Sequence, residues 1–235
     1  MSDATLWAVV PAAGTGSRMR ADRPKQYLDV AGKTVIEHAI DRLLAHPAVT
    51  GVVVALRPDD PWWPTLPCAT DPRIIPVTGG VERSDSVASA LDHLSGIAPA
   101  ESWVLVHDAA RPCLRQRDLD RLIQEAGSHA VGGLLAAPLA DTLKRLGPGG
   151  EVVETVERAG LWRALTPQMF RLAALREALA EARQAGVAVT DESAALERLG
   201  HHPLLVPGHP DNLKITHPED LPLAERFLAR NGGGG

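Results

Sequence analysis

Five short apolar runs, each about one strand long, recur along the first 138 residues: LWAVVP at 6–11, VTGVVVAL at 49–56, RIIPV at 73–77, SWVLVH at 102–107 and VGGLLAAP at 131–138. They are rich in Val, Leu and Ile, which fit a pleated surface, and apolar at nearly every position, as strands buried on both faces are. Between them the spacing predicts helices over 34–45, 82–94 and 118–127. Thr34 followed by Glu37 is a capping-box signature for the first of these. Strands alternating with helices imply an α/β fold: a doubly wound, mostly parallel, Rossmann-like sheet with its binding site beyond the carboxyl ends of the strands. Aromatic residues are only 3% of the chain against 45% hydrophobic, so the core is expected to be aliphatic.

The rhythm changes after Pro138. Residues 141–163 read as two strand-like pieces around the turn GPGG, with too little apolar content to pack on a parent core. This segment is expected to form a protruding β-arm that needs a partner surface. Helices are predicted over 171–185 and 191–199, a strand over 203–207 and a last helix over 218–230. No repeat or linker divides the chain, so residues 1–231 are read as one domain. Residues 232–235, all glycine, are read as a flexible tail.

A formal charge of −5 excludes a general nucleic-acid coat, while leaving room for a local basic pocket. Cys68 and Cys113 have neither CxxC spacing nor the number for a disulfide scaffold, which fits a reducing cytoplasm. No stretch reaches the length of a membrane span and no basic region precedes the first apolar run, so neither membrane nor export is expected. The nine histidines give no metal-ligand spacing, and no GxSxG elbow is present.

The first strand runs into PAAGTGSRMRADRPKQ at 11–26. Gly14 and Gly16 let the backbone turn sharply and point successive N–H groups at an anion. Alone they fit a strand-to-helix turn equally well; Arg18 and Lys25 shift the reading toward an anionic ligand. The loop is neither a P-loop nor the dinucleotide GxGxxG, since Met19 stands where the last glycine would be. Asp108, at the end of a buried-type strand, either caps the loop DAARP paired with Arg111 or faces a ligand.

PAAGTGSRM with PKQY resembles the signature of sugar-phosphate nucleotidylyltransferases, and PKQY that of cytidylyltransferases acting on polyol phosphates. GGVERSDSV at 79–87, VHDAARPC at 106–113, AAPLADTLKR at 136–145, TVERAGLWRALTPQMF at 155–170, VTDESAALE at 189–197 and DNLKITHPEDL at 211–221 agree in order. Together they are similar to the 2-C-methyl-D-erythritol 4-phosphate cytidylyltransferase family over nearly the whole chain. Val81 stands where acidic residues are common in that family.

The resemblance implies attack of the polyol phosphate on the α-phosphorus of CTP with release of pyrophosphate, in non-mevalonate isoprenoid synthesis. It implies Arg18 and Lys25 as catalytic cations at the α-phosphate. CTP binding would fall to Pro11, Ala12, Ala13, Gly14, Thr15, Gly16, Arg18 and Lys25, with Gly80 and Ser86 reading the base, Arg83 shaping that wall, and Asp108, Ala109 and Arg111 near the ribose or Mg²⁺. Asp108 is the expected metal carboxylate, with Asp211 a second candidate. Thr142, Arg158, Thr166, Thr190, Asp191, Asp211 and Lys214 would hold the polyol phosphate. Arg158 on the arm would complete the site of a neighbouring subunit in a homodimer. The rival readings are a cytidylyltransferase for ribitol 5-phosphate or a related pentitol phosphate, and a CTP-sensing module without turnover.

Overall fold

The computed structural model describes residues 5–14 and 22–232. Of the expected site residues, Thr15, Gly16 and Arg18 lie outside the described residues, as do 233–235 of the terminal glycine run.

Strand β1 (Leu6–Pro11) is followed by a small hairpin, β2 (Asp29–Val30) and β3 (Lys33–Thr34), that the sequence did not announce. Helix α1 (Val35–Leu44), β4 (Val49–Leu56), β5 (Ile74–Thr78), α2 (Arg83–Ser95), β6 (Trp103–Val106), α3 (Gln116–Gly127) and β7 (Gly132–Pro138) fall where the apolar pattern places them. Thr34 caps α1 as expected: its Oγ1 accepts from the Glu37 amide, and Glu37 Oε2 accepts from the Thr34 amide at 2.9 Å, a reciprocal cap that contributes about 1 kcal/mol.

The arm is a separate two-stranded sheet of β8 (Leu143–Leu146) and β9 (Val152–Val156). Leu146, Val152 and Val153 are exposed on it. It ends sooner than expected, because Trp162 and Arg163 already belong to a long strand, β10 (Trp162–Arg171), absent from the sequence reading. Helices α4 (Leu172–Gln184) and α5 (Glu192–Arg198), strand β11 (Leu204–Pro207) and helix α6 (Asp220–Gly232) complete the chain. The last helix takes in Gly232, the first residue assigned to the tail.

The main sheet has seven strands in the order β11-β7-β10-β6-β1-β4-β5. All neighbouring pairs are parallel except those of β10, which runs antiparallel between β6 and β7. Its pairing with β7 breaks between Ala164 and Gln168, where Thr166 and Pro167 interrupt the apolar pattern and hid the strand from a periodicity argument.

The alternation of β1 builds two cores. Ala8 and Val10 point to one face, against Ile36, Ile40 and Leu43 of α1 and Leu119 and Leu122 of α3. Val9 points to the other, against Val87, Leu91 and Leu94 of α2 and Leu175 of α4. A third cluster seats Leu228 and Ala224 of α6 on Val30, Val35 and Ile215. That contact brings residues 211–216 back over the sheet. The chain runs from β1 to β4 to β5 and then returns to β6 on the other side of β1. Loops therefore diverge from the β1–β6 boundary, the switch point where open α/β sheets bind ligands.

Candidate active site

A cleft of about 300 Å³ opens there. Its walls are Pro11 to Gly14 after β1, Gly80 to Arg83 and Ser86 at the start of α2, and Asp108 to Ala110 after β6. Lys25 and Gln26 line it from the first loop, and Lys214 and Thr216 from the returning C-terminal segment.

Each wall is fixed by a specific contact. Gln26, buried, donates to the carbonyls of Ala12 at 2.8 Å and Gly14 at 2.9 Å, so PKQY pins residues 12–14 after β1. Lys25 Nζ donates to the Ile215 carbonyl at 2.8 Å, and the Ile215 amide donates to the Ala110 carbonyl at 2.8 Å. These two bonds join all three chain segments. Gly79 is where β5 leaves the sheet. A Cβ there would stand 2.8 Å from Ser86 Oγ and 2.9 Å from the Ala13 Cβ, so the absence of a side chain lets the two loops meet. Ser86 Oγ accepts the Gly80 amide at 3.1 Å and holds that turn.

Asp108 is the electrostatic hub. Its Oδ1 accepts from Arg83 Nε at 2.9 Å, and its Oδ2 lies 2.9 Å from Lys214 Nζ and 3.4 Å from Arg111 Nε. Burial alone would raise its carboxyl, but Arg83, Lys214 and Arg111 outweigh burial and hold it well below the usual carboxylate range. Both alternatives open for Asp108 in the sequence thus meet: it pairs with Arg111 and also faces the cleft. Arg111 itself sits behind Asp108, donating to the Asn212 carbonyl at 2.6 Å. Among the described residues no group of three or more His, Cys, Asp and Glu side chains is placed to hold a metal ion. Asp108 is the buried carboxylate of the cleft wall, and a divalent cation sharing its coordination with phosphate oxygens would take the place at Oδ2 now held by Lys214 and Arg111.

Beneath the loop, His107 is fully buried and joins it to β10. The Asp108 amide donates to Thr166 Oγ1 at 3.0 Å, the Thr166 hydroxyl lies 3.0 Å from His107 Nδ1, and His107 Nε2 lies 3.0 Å from the Arg111 carbonyl. A carbonyl can only accept, so Nε2 carries a proton; in the neutral ring that burial favours, Nδ1 accepts from the Thr166 hydroxyl. Burial pushes its pKa down to about 4. The folded state therefore disfavours a proton that the unfolded chain takes up near pH 6.5. The stabilisation is full above pH 6.5, falls as pH drops below that, and is lost by about pH 4. The expected loss is about 3 kcal/mol over this window. Urea denaturation of the protein without nucleotide or divalent cation, compared with His107→Gln, checks it; equal pH slopes for the two proteins would refute it.

The other expected substrate residues are spread out. Lys214 shares the cleft, and Thr166 is buried under it with its hydroxyl engaged as above. Asp191 caps α5, accepting from the Ala194 amide at 3.0 Å and from Gln168 Nε2 at 2.9 Å. Thr190 lines an adjoining groove that also touches Glu82 and Arg83. Asp211 is turned away from the cleft: Arg115 Nε donates to both its oxygens at 3.0 Å, and His209 Nδ1 lies 2.8 Å from it. Thr142 and Arg158 are exposed on the arm, and Arg158 donates to the Ala140 carbonyl. Sequence reasoning missed Gln26 and Glu192, although each lies within a quoted motif beside a residue that was chosen.

A sequence model described as 2-C-methyl-D-erythritol 4-phosphate cytidylyltransferase matches residues 6–230. The chain is 56% identical over 226 residues to the protein of that name from Vibrio parahaemolyticus, covering 96% of each. It is 58% identical over 222 residues to that from Pseudomonas aeruginosa, covering 94% of this chain and 95% of the relative. Among solved structures it is similar to a 4-diphosphocytidyl-2C-methyl-D-erythritol synthase, with TM-score 0.84, 39% identity and coverage of 97% and 100%. It is also similar to the 2-C-methyl-D-erythritol 4-phosphate cytidylyltransferase of Thermus thermophilus, with TM-score 0.79, 33% identity and coverage of 96% and 99%. With residues 12–14 pinned after β1, a cationic cleft at the switch point and this likeness over almost its full length, the chain belongs to the 2-C-methyl-D-erythritol 4-phosphate cytidylyltransferase family.

Proposed function

We propose that this protein transfers the cytidylyl group of CTP to 2-C-methyl-D-erythritol 4-phosphate, giving 4-diphosphocytidyl-2-C-methyl-D-erythritol and pyrophosphate. The observation that carries the reading is the convergence of Lys25, Arg83 and Lys214 on one cleft lined by Pro11 to Gly14. Two polyanions must meet for this reaction, and the charge that redistributes over the α-phosphoryl oxygens needs fixed donors. A phosphate monoester dianion is already a nucleophile, so no general base is required. That agrees with a buried, neutral His107 committed to holding the loop.

In this reading the amides of the glycine loop and the ammonium of Lys25 bind the triphosphate. Ser86 fixes the Gly80 turn that faces the base, and Asp108 orients Lys214 and Arg83. Arg18, in the same loop, joins Lys25 as the second catalytic cation. Magnesium belongs to the same proposal: Asp108 with the phosphate oxygens would hold it, and the ion would offset triphosphate charge. So does the arm, whose exposed Leu146, Val152 and Val153 would be covered by a second copy, with Arg158 and Thr142 reaching that copy's polyol phosphate.

Pyrophosphate release with CTP and Mg²⁺ is the test. Turnover is expected to be at least about 100-fold more efficient with methylerythritol phosphate than with ribitol 5-phosphate, whose hydroxyl pattern differs. The reverse preference would transfer the assignment to a pentitol phosphate, and CTP binding without release would make the protein a sensor.

A further inference from the structure

Arg83, expected to shape the wall beside the base, lines the cleft and directs its donors at two carboxylates. Nε donates to Asp108 Oδ1 at 2.9 Å, while the terminal nitrogens donate to Glu192 Oε1 at 2.6 Å and Oε2 at 3.1 Å. Glu192 is 1% exposed and sits in the first turn of α5. That helix is in turn seated by Gln168 of β10, whose side-chain oxygen accepts the Ser193 amide at 2.8 Å and whose nitrogen donates to Asp191.

We propose that Glu192 is a positioning residue of the nucleotide site, holding the plane of the Arg83 guanidinium so that only Nε meets Asp108. A guanidinium offers two donor edges to carboxylates. With Glu192 occupying the outer edge, Asp108 keeps Oδ2 for Lys214, 2.9 Å away. Without the Glu192 charge, Arg83 is free to turn its Nε edge onto both oxygens of Asp108 and displace Lys214 from the cleft wall. The side chain thus ties α5, which Asp191 caps beside the groove of Thr190, to α2 and the nucleotide wall.

This inference rests on the cytidylyltransferase reading. Its test compares Glu192→Gln, Arg83→Gln and the double variant for CTP affinity by calorimetry and for steady-state turnover. Glu192→Gln is expected to raise the KM for CTP about 10-fold with a smaller change in kcat, and the double variant to be no worse than Arg83→Gln alone. A merely structural role would lower the folded fraction, and hence kcat, at an unchanged KM; that result, or penalties that multiply in the double variant, overturns the proposal. Should Glu192→Gln fail to fold, the double variant against Arg83→Gln decides: equal CTP affinity supports the proposal and further loss overturns it. Turnover of the unaltered protein, measured alongside, judges the reaction itself, and the binding comparison judges Glu192 even if that turnover is absent.

Discussion

Lys25→Ala is expected to lower kcat about 100- to 1,000-fold while the KM for CTP rises only a few-fold. The ammonium is held at the cleft by the Ile215 carbonyl, at 2.8 Å, and Ile215 is fastened to the loop after β6. Its position is set before any ligand arrives, so it costs little reorganisation as charge builds on the phosphoryl oxygens. The triphosphate retains the loop amides and the remaining cations for ground-state binding, which is why the loss should fall on kcat. Steady-state kinetics at saturating polyol phosphate measure the split, and unchanged turnover would remove Lys25 from the machinery. The same variant tests the arm. Mixed with Arg158→Ala under conditions where subunits exchange, it should regain part of the activity if sites are shared across copies. Without recovery, the arm contributes nothing to a neighbour.

Asp108→Asn should cost about 100-fold in turnover and about 3 kcal/mol in stability, because it leaves Arg83, Lys214 and Arg111 around a neutral amide. Among the described residues, the buried carboxylates Asp108 and Glu192 meet Arg83, Lys214 and Arg111, and Lys25 lines the same cleft. Removing Asp108 takes away the anchor that Arg83 and Lys214 share, so CTP affinity should weaken, as for Glu192→Gln, while turnover falls further because the cations no longer keep their places. Denaturant unfolding gives the stability change, calorimetry the CTP affinity, and pyrophosphate release the turnover. Loss of CTP binding with normal turnover per bound complex would contradict this account of Asp108 as the organiser of the cations.

Most of the fold was legible because it obeys local rules. The buried strands β1, β4 and β6 are apolar on both faces since helices cover both sides, and Thr34 with Glu37 states its cap in four residues. β10 was not legible. It reaches its place by pairing antiparallel with β6 and β7, and its Thr166–Pro167 interruption sits where the pairing breaks, so neither periodicity nor propensity marks it. The turn after β1 was legible from Gly14, and Pro11 to Gly14 line the cleft where the first strand places them; Gly16 and Arg18 lie outside the described residues. The partners of Arg83 and Thr166 were not legible: Arg83 bonds Asp108 and Glu192, and Thr166 bonds His107 and the Asp108 amide.

What the sequence determined by itself was the layered α/β architecture, the end of the sheet where the site lies and the anionic character of its ligand. Each follows from residue type and spacing over short stretches. Only the tertiary structure decided which charges share a partner. Lys25 meets a carbonyl 190 residues away and Arg83 a carboxylate 109 residues away, and such pairings depend on how the helices pack across the sheet.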